Sequence, residues 1–192
     1  KDPERLDLAL VVADEPCACA AVFTKNVFCS APVIVSRAQL GADQPGEPAY
    51  GTARAVVVNS GNANAATGEP GLEAARETAR IAGDAVGCPA SEVLVASTGV
   101  IGLGGRGRLR RLHFTVGGMS KGSGMIMPNM ATMIAVLTTD APVSAPALHR
   151  ALVHAVNRSF NKVTVDSDTS TNDSCFLFAS GAAAPAGASA FD

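Results

Sequence analysis

Apolar residues recur along the chain with two different periods, and these divide it into elements. Leu6 to Val12 is almost wholly apolar and predicts a buried strand, and the shorter runs Ala20 to Phe23 and Pro32 to Val35 predict two more. Arg37 to Gly51 gathers prolines, glycines and polar residues, which predicts a surface loop. Ala53 to Val58 is rich in β-branched residues and reads as a strand, running into the turn Asn59-Ser-Gly-Asn-Ala-Asn-Ala-Ala-Thr-Gly68. From Pro70 to Val86 the period changes. Leu72, Ala75, Ala79, Ala82 and Val86 fall on one stripe, with Glu73, Arg76, Glu77, Arg80 and Asp84 on the other. That spacing predicts a helix, with Pro70 in its first turn and Gly87 as its terminator.

Glu92 to Ala96 and Met133 to Leu137 predict further strands. Between them, residues 102–113 crowd Arg106, Arg108, Arg110 and Arg111 among glycines without a clear period, and read as a flexible basic loop. Ser144 is placed to cap a helix running to about Arg158, with Leu148, Leu152 and Val156 as its apolar stripe. Lys162 to Asp166 and Cys175 to Ala179 read as strands, and Gly181 to Asp192 carries no pattern. Strands alternating with helices indicate an α/β or α+β layered domain.

Composition narrows the function classes. With 47% hydrophobic residues the chain is too apolar for disorder. Fifteen basic against 17 acidic residues, one tyrosine and no tryptophan argue against a nucleic-acid partner. No run approaches the roughly 18 unbroken apolar residues of a membrane span. The start, Lys1-Asp2-Pro3-Glu4-Arg5, has no following apolar region, so no signal peptide is expected. Five cysteines are an odd number, Cys17-Ala-Cys19 is not a CxxC pair, and no histidine lies near it at zinc-ligand spacing. Reduced core thiols in a cytoplasmic protein, with no metal, are expected.

Several groups of residues are candidates for chemistry. Gly102-x-Gly104-x-x-Gly107 matches a dinucleotide fingerprint, but it lacks the small-residue helix and the acid about 20 residues further on that this site needs. His113, His149 and His154 have no nucleophile nearby and read as surface residues. Asp166 to Asp173 is a dense run of Asp, Ser, Thr and Asn. It is open to two readings, a network of side chains satisfying loop amides or a loop shaped to support an active site. The sharpest feature is Lys121-Gly-Ser-Gly-Met-Ile-Met-Pro-Asn-Met-Ala-Thr132, where a glycine-rich loop enters a strand at a threonine. A threonine hydroxyl needs a base to become a nucleophile. If the peptide bond before it breaks, its own α-amino group, with a pKa of about 7.7–8.0, supplies that base. The same hydroxyl, attacking the Ala131 carbonyl, could make the cut.

Lys121 to Ala135 resembles the signature of the ornithine acetyltransferase family, the bifunctional glutamate N-acetyltransferase of arginine biosynthesis. So do Asn59 to Gly68, Ser97-Thr-Gly-Val-Ile-Gly102 and Thr164 to Asp173, in the same order. The resemblance implies a layered α/β sandwich of the autoprocessed N-terminal-nucleophile type. It makes residues 1–131 the α-chain-like part and 132–192 the start of the β-chain. It implies cleavage between Ala131 and Thr132, with Thr132 as nucleophile, Thr98 and Gly99 as the oxyanion hole, and Lys121 and Thr132 as substrate-binding residues. The reaction implied is ping-pong. Thr132 takes acetyl from N-acetylornithine and glutamate accepts it, with no cofactor, although some members also use acetyl-CoA. The assembly implied is an α2β2 heterotetramer. The chain departs from the family in two places. Gly102 reaches Lys121 almost directly, which suggests a shortening near 103–113, and the family's later substrate-binding glutamate, asparagine and threonine have no counterpart before Asp192. The alternative is an inactive fragment or a non-enzymatic relic of the same fold.

Overall fold

Seven strands build one mixed sheet in the computed structural model, which describes residues 8–60, 62–98, 101–109, 112–122, 133–166, 169–184 and 190–192. The strands are β1 (Leu8–Phe23), β2 (Ala49–Asn59), β3 (Val93–Ser97), β4 (Ile101–Leu109), β5 (Leu112–Gly122), β6 (Met133–Thr139) and β7 (Ser174–Ala179). The helices are α1 (Ala31–Gln39), α2 (Gly68–Val86) and α3 (Ala145–Arg158). Across the sheet the order is β3-β2-β1-β7-β6-β5-β4. The β2/β3 and β6/β7 pairs are parallel and the other four antiparallel.

The stripes read from the sequence become packing faces. Leu148, Leu152 and Val156 of α3 pack on Ala20, Met133, Ala135, Cys175 and Ala179. Ala79 and Ala82 of α2 pack on Ala55, Val57, Val93 and Val95. A third cluster is built almost wholly of strand residues, among them Cys19, Val56, Leu94, Val136, Phe176 and Phe178, together with Leu40 and Ala42 beyond α1. Gly87 ends α2 in the left-handed conformation at φ 77°, which a glycine adopts without strain. The Ser144 side chain accepts from the Ala147 amide at the start of α3.

Four sequence expectations are corrected. The strand expected at Leu6 to Val12 belongs to the longer β1, and its described part is covered on one face only, where Ala9 and Val11 pack on the core. Leu8, Leu10 and Val12 are 63%, 40% and 45% exposed, because β7 pairs only with Ala18 to Phe23 and this half of β1 has β2 alone beside it. Its register also shifts between Val12 and Cys17, where Pro16 has no amide to donate. Pro32 to Val35 lies inside α1 rather than in a strand. Ser30 is extended at its N-cap and proline sits in the first turn, so the capping geometry and burial outweigh the β-branched residues.

Residues 102–109 and 112–113 lie in strands rather than in a loop. The β4 and β5 backbones pair continuously from Ile101↔Ser120 to Leu109↔Leu112. Glycines carry no alternating side chains, so the period-two signal of a strand is lost there. The pairing also places Gly102, Gly104 and Gly107 within a strand, where no turn opens onto a helix for a dinucleotide phosphate. Finally, residues 163–166 form no strand. A 3-10 turn, Phe160–Lys162, precedes them, and Val163 and Val165 are exposed with no neighbouring strand to cover them among the described residues.

Candidate functional site

Register places Lys121 beside the opening of β6. Gly122 lies opposite Met133 and Lys121 opposite Ile134, which in turn lies opposite Ser174 at the opening of β7. Lys121 is 8% exposed. Burial pulls its ammonium below the usual lysine range, and the charge of Asp173 partly offsets this.

Asp173 has no exposed surface. Its Oδ1 accepts the Met133 amide at 2.9 Å, so this carboxylate grips the residue that directly follows Thr132. Burial pushes its carboxyl up to about 6. The Met133 amide, the Ser170 hydroxyl and the Lys121 ammonium pull the other way, by bonding or attracting the charged form.

The run before Asp173 is held from three sides. The Thr24 hydroxyl donates to the Ser170 carbonyl at 2.8 Å and the Thr24 amide to the Asp173 carbonyl at 2.9 Å. Asn26 Nδ2 donates to the Thr169 carbonyl at 3.2 Å, and the Ser30 amide to the Thr171 carbonyl at 2.7 Å. Asn172 Nδ2 donates to the Ala63 carbonyl, inside the Asn59–Gly68 turn. The two readings of this run are therefore one. Side chains do satisfy loop amides, as where Ser170 Oγ accepts from the Asn172 amide at 3.1 Å, and the loop so shaped presents Asp173 to β6.

The Asn59–Gly68 turn links this loop to the Ser97-Thr98 segment. Asn59 Oδ1 accepts from the Ser97 hydroxyl at 2.8 Å, and the Asn59 carbonyl accepts the Thr98 amide. Thr98 has φ 141°, a positive value that a β-branched residue rarely adopts. With its amide engaged, Thr98 has only its hydroxyl left to offer as a donor. Asn64 Nδ2 donates to the Gly71 carbonyl at 2.9 Å, and a Cβ on Gly71 would run into the Thr67 side chain, so glycine there lets the turn lie close against the start of α2.

Lys121, Asp173 and the Met133 amide are thus brought together, and Thr98 is tied to the same loops through Asn59. Among the described residues no hydrogen bond or ion pair joins Thr98 directly to Lys121 or Asp173. Thr132, Ala131 and Gly99 lie outside the described residues. Sequence reasoning left Asp173 and Asn59 without roles and missed Thr24, Asn26 and Ser30 altogether. The one signal for these three was a short polar stretch after an apolar run.

The other candidates lie apart from this cluster. His149 is half-buried against Tyr50, with ring centroids 5.6 Å apart, and burial lowers its pKa. The five cysteines are free, and burial pushes the Cys175 thiol up to about 12. Among the described residues no group of three His, Cys, Asp or Glu could hold a metal ion, and no helix is long and apolar enough to cross a membrane. A cavity of about 580 Å³ lies between the irregular part of β1 and the end of β6, lined by Asp14, Cys17, Arg54, Asp140 and Phe178 among others, and it includes none of the candidate site residues.

The model of the ArgJ family matches residues 1–104 and 106–192. The arginine biosynthesis bifunctional protein ArgJ of Geobacter sulfurreducens is 41% identical over 223 aligned positions, covering 95% of this chain and 55% of that protein. The protein of the same name from Nitratidesulfovibrio vulgaris is 44% identical over 218, covering 93% and 54%. This chain therefore spans about half the length of the curated relatives it matches. A solved ornithine acetyltransferase from Mycobacterium tuberculosis, complexed with ornithine, is 36% identical over 49% of this chain and 48% of its own, with a TM-score of 0.40.

Proposed function

Because the chain belongs to the ArgJ family, we propose that it carries the Thr132 part of an acetyl-transfer site of arginine biosynthesis. In this reading the Thr132 hydroxyl attacks the Ala131 carbonyl, and the peptide nitrogen of Thr132 leaves as the free amine while an ester forms. Water then hydrolyses the ester and frees residues 1–131. The liberated amine takes the hydroxyl proton of Thr132 as it attacks the acetyl group of N-acetylornithine. Ornithine leaves with that proton, acetyl-Thr132 remains, and the amine of glutamate takes the acetyl group to give N-acetylglutamate. The Thr98 hydroxyl and the Gly99 amide steady the negative oxygen of each tetrahedral intermediate. Lys121 faces a substrate carboxylate. No cofactor takes part, and acetyl-CoA is an alternative donor. The working assembly is an α2β2 heterotetramer in the cytoplasm.

The observation that supports this reading best is the grip of Asp173 on Met133 beside the buried Lys121. It gives the residue next to Thr132 a fixed place beside a cation suited to a carboxylate. Mass spectrometry of the purified chain tests it. Wild type should appear as two fragments divided between Ala131 and Thr132, and Thr132→Ala as one intact chain. If the alanine variant is cut at the same bond, Thr132 is not the agent.

A second reading, an inactive fragment of the fold, is favoured by the coverage of only 55% of the Geobacter relative. Turnover of N-acetylornithine and glutamate by this chain alone would eliminate it.

A further inference from the structure

We propose that Asp173 is the positioning residue of the Thr132 site, fixing the opening of β6 through the Met133 amide. The inference rests on the acetyl-transfer reading for what is positioned. It rests on the described residues for the positioning itself.

A nucleophile at the end of a strand has a placement problem. The end of a strand frays unless something outside the ladder holds it. Here β6 opens at Met133, whose amide is held by a side chain rather than by a neighbouring strand. The holder is charged and has no exposed surface, so the bond is shielded from water and stronger than a surface one.

Asp173 is itself anchored. Its own carbonyl accepts the Thr24 amide at 2.9 Å, and on either side of it Ser174 Oγ donates to the Asn172 carbonyl at 3.2 Å and Asn172 Nδ2 reaches Ala63. The carboxylate therefore starts from a backbone that cannot drift, and one bond transfers that rigidity to Met133. Lys121, from the neighbouring strand β5, supplies the nearby positive charge. A buried carboxylate is costly to keep, and a purely structural need for an acceptor at this amide could be met by a neutral group. The Asp173 charge partly offsets the effect of burial on the Lys121 ammonium.

The test compares Asp173→Ala and Asp173→Asn with wild type. Two readouts are used, hydrogen exchange of the Met133 amide and the rate of cleavage between Ala131 and Thr132. The alanine variant should lose protection at Met133 while Val136, deeper in β6, stays protected. Its cleavage should slow roughly tenfold or more, the scale of one lost charge-assisted bond. The asparagine variant keeps an acceptor oxygen, so it should restore protection and most of the cleavage rate. Protection at Met133 unchanged in the alanine variant overturns the proposal. So does cleavage as fast as wild type once the bond is lost. If wild type is never cut, the Thr132 reading fails instead, and the Met133 exchange alone decides whether Asp173 positions the strand.

Discussion

A carboxylate stripped of water binds its proton more tightly than one in an unfolded chain. Asp173 titrates at about 6 in the fold, above its ordinary 3.8. The folded state therefore holds the extra proton between these values. Stability from this group is present at low pH and is lost as pH rises through the window from about 4 to 6. Against Asp173→Asn, which cannot titrate, wild type should lose up to roughly 3 kcal/mol across that window and no more above it. Denaturant unfolding of both proteins at several pH values measures this, and a gap that stays constant with pH would refute the raised pKa. Thr98 makes the complementary case. Its φ of 141° is strained for a β-branched side chain but open to glycine. Thr98→Gly should raise stability by about 1 kcal/mol, because relieved strain outweighs the added freedom of the unfolded chain. On the proposed reaction it should also lower acetyl transfer by roughly 10²-fold or more, because the hydroxyl donor is gone. Thermal melting and turnover, read on the same sample, separate the two effects.

At the scale of elements, one side chain closes an edge of the sheet. β3 lies at the end of the strand order, so the groups on its outer side have no strand partner. The Ser36 hydroxyl, from inside α1, donates to the Val95 carbonyl at 2.8 Å and accepts the Val95 amide at 2.7 Å. Ser36→Ala leaves two buried backbone groups unpaired and should cost about 2–3 kcal/mol in the free energy of denaturant unfolding. Ser144→Ala at the start of α3 removes a single, longer contact of 3.5 Å and should cost about 1 kcal/mol or less. A Ser144 effect as large as that of Ser36 would contradict this account. The same contrast explains what the sequence revealed. Helices α2 and α3 were legible because their stripes are local and repeat over three turns or more. Helix α1 was not, because its β-branched run carries no helical stripe of its own and one of its anchors lies 59 residues away in sequence. Around the candidate site, motif spelling pointed to Lys121, Thr98 and Thr132, of which Thr132 lies outside the described residues. The roles of Asn59 and Asp173 depend on partners 38 and 40 residues away, and no periodicity carries that information. The β4–β5 pair escaped for a different reason, since its glycines leave no pattern to read.

The whole molecule bears on how the pieces came to be adjacent. The family model matches in two stretches that part at residue 105, inside β4, and the alignment with the Geobacter relative runs to 223 positions against 192 residues here. The relative thus has residues without counterpart in this chain, while the β4 backbone pairs with β5 without a break. Nucleotide chemistry gains nothing from that strand pair, and calorimetry with NAD should register no binding. Helix α1 has a wider consequence. Its nine residues are too few to stand alone. Yet the Ser30 amide before it meets Thr171, the Ala31 amide meets Asn64, and Ser36 meets Val95, two residues before Ser97. Two loops of the site and the strand leading to Ser97 thus share one short fastening, so on heating the loops should come loose together, and before the sheet does. On the proposed reaction, acetyl transfer should accordingly fade at temperatures where the far-ultraviolet signal of the strands is still whole, and Ser36→Ala should widen the interval between the two losses.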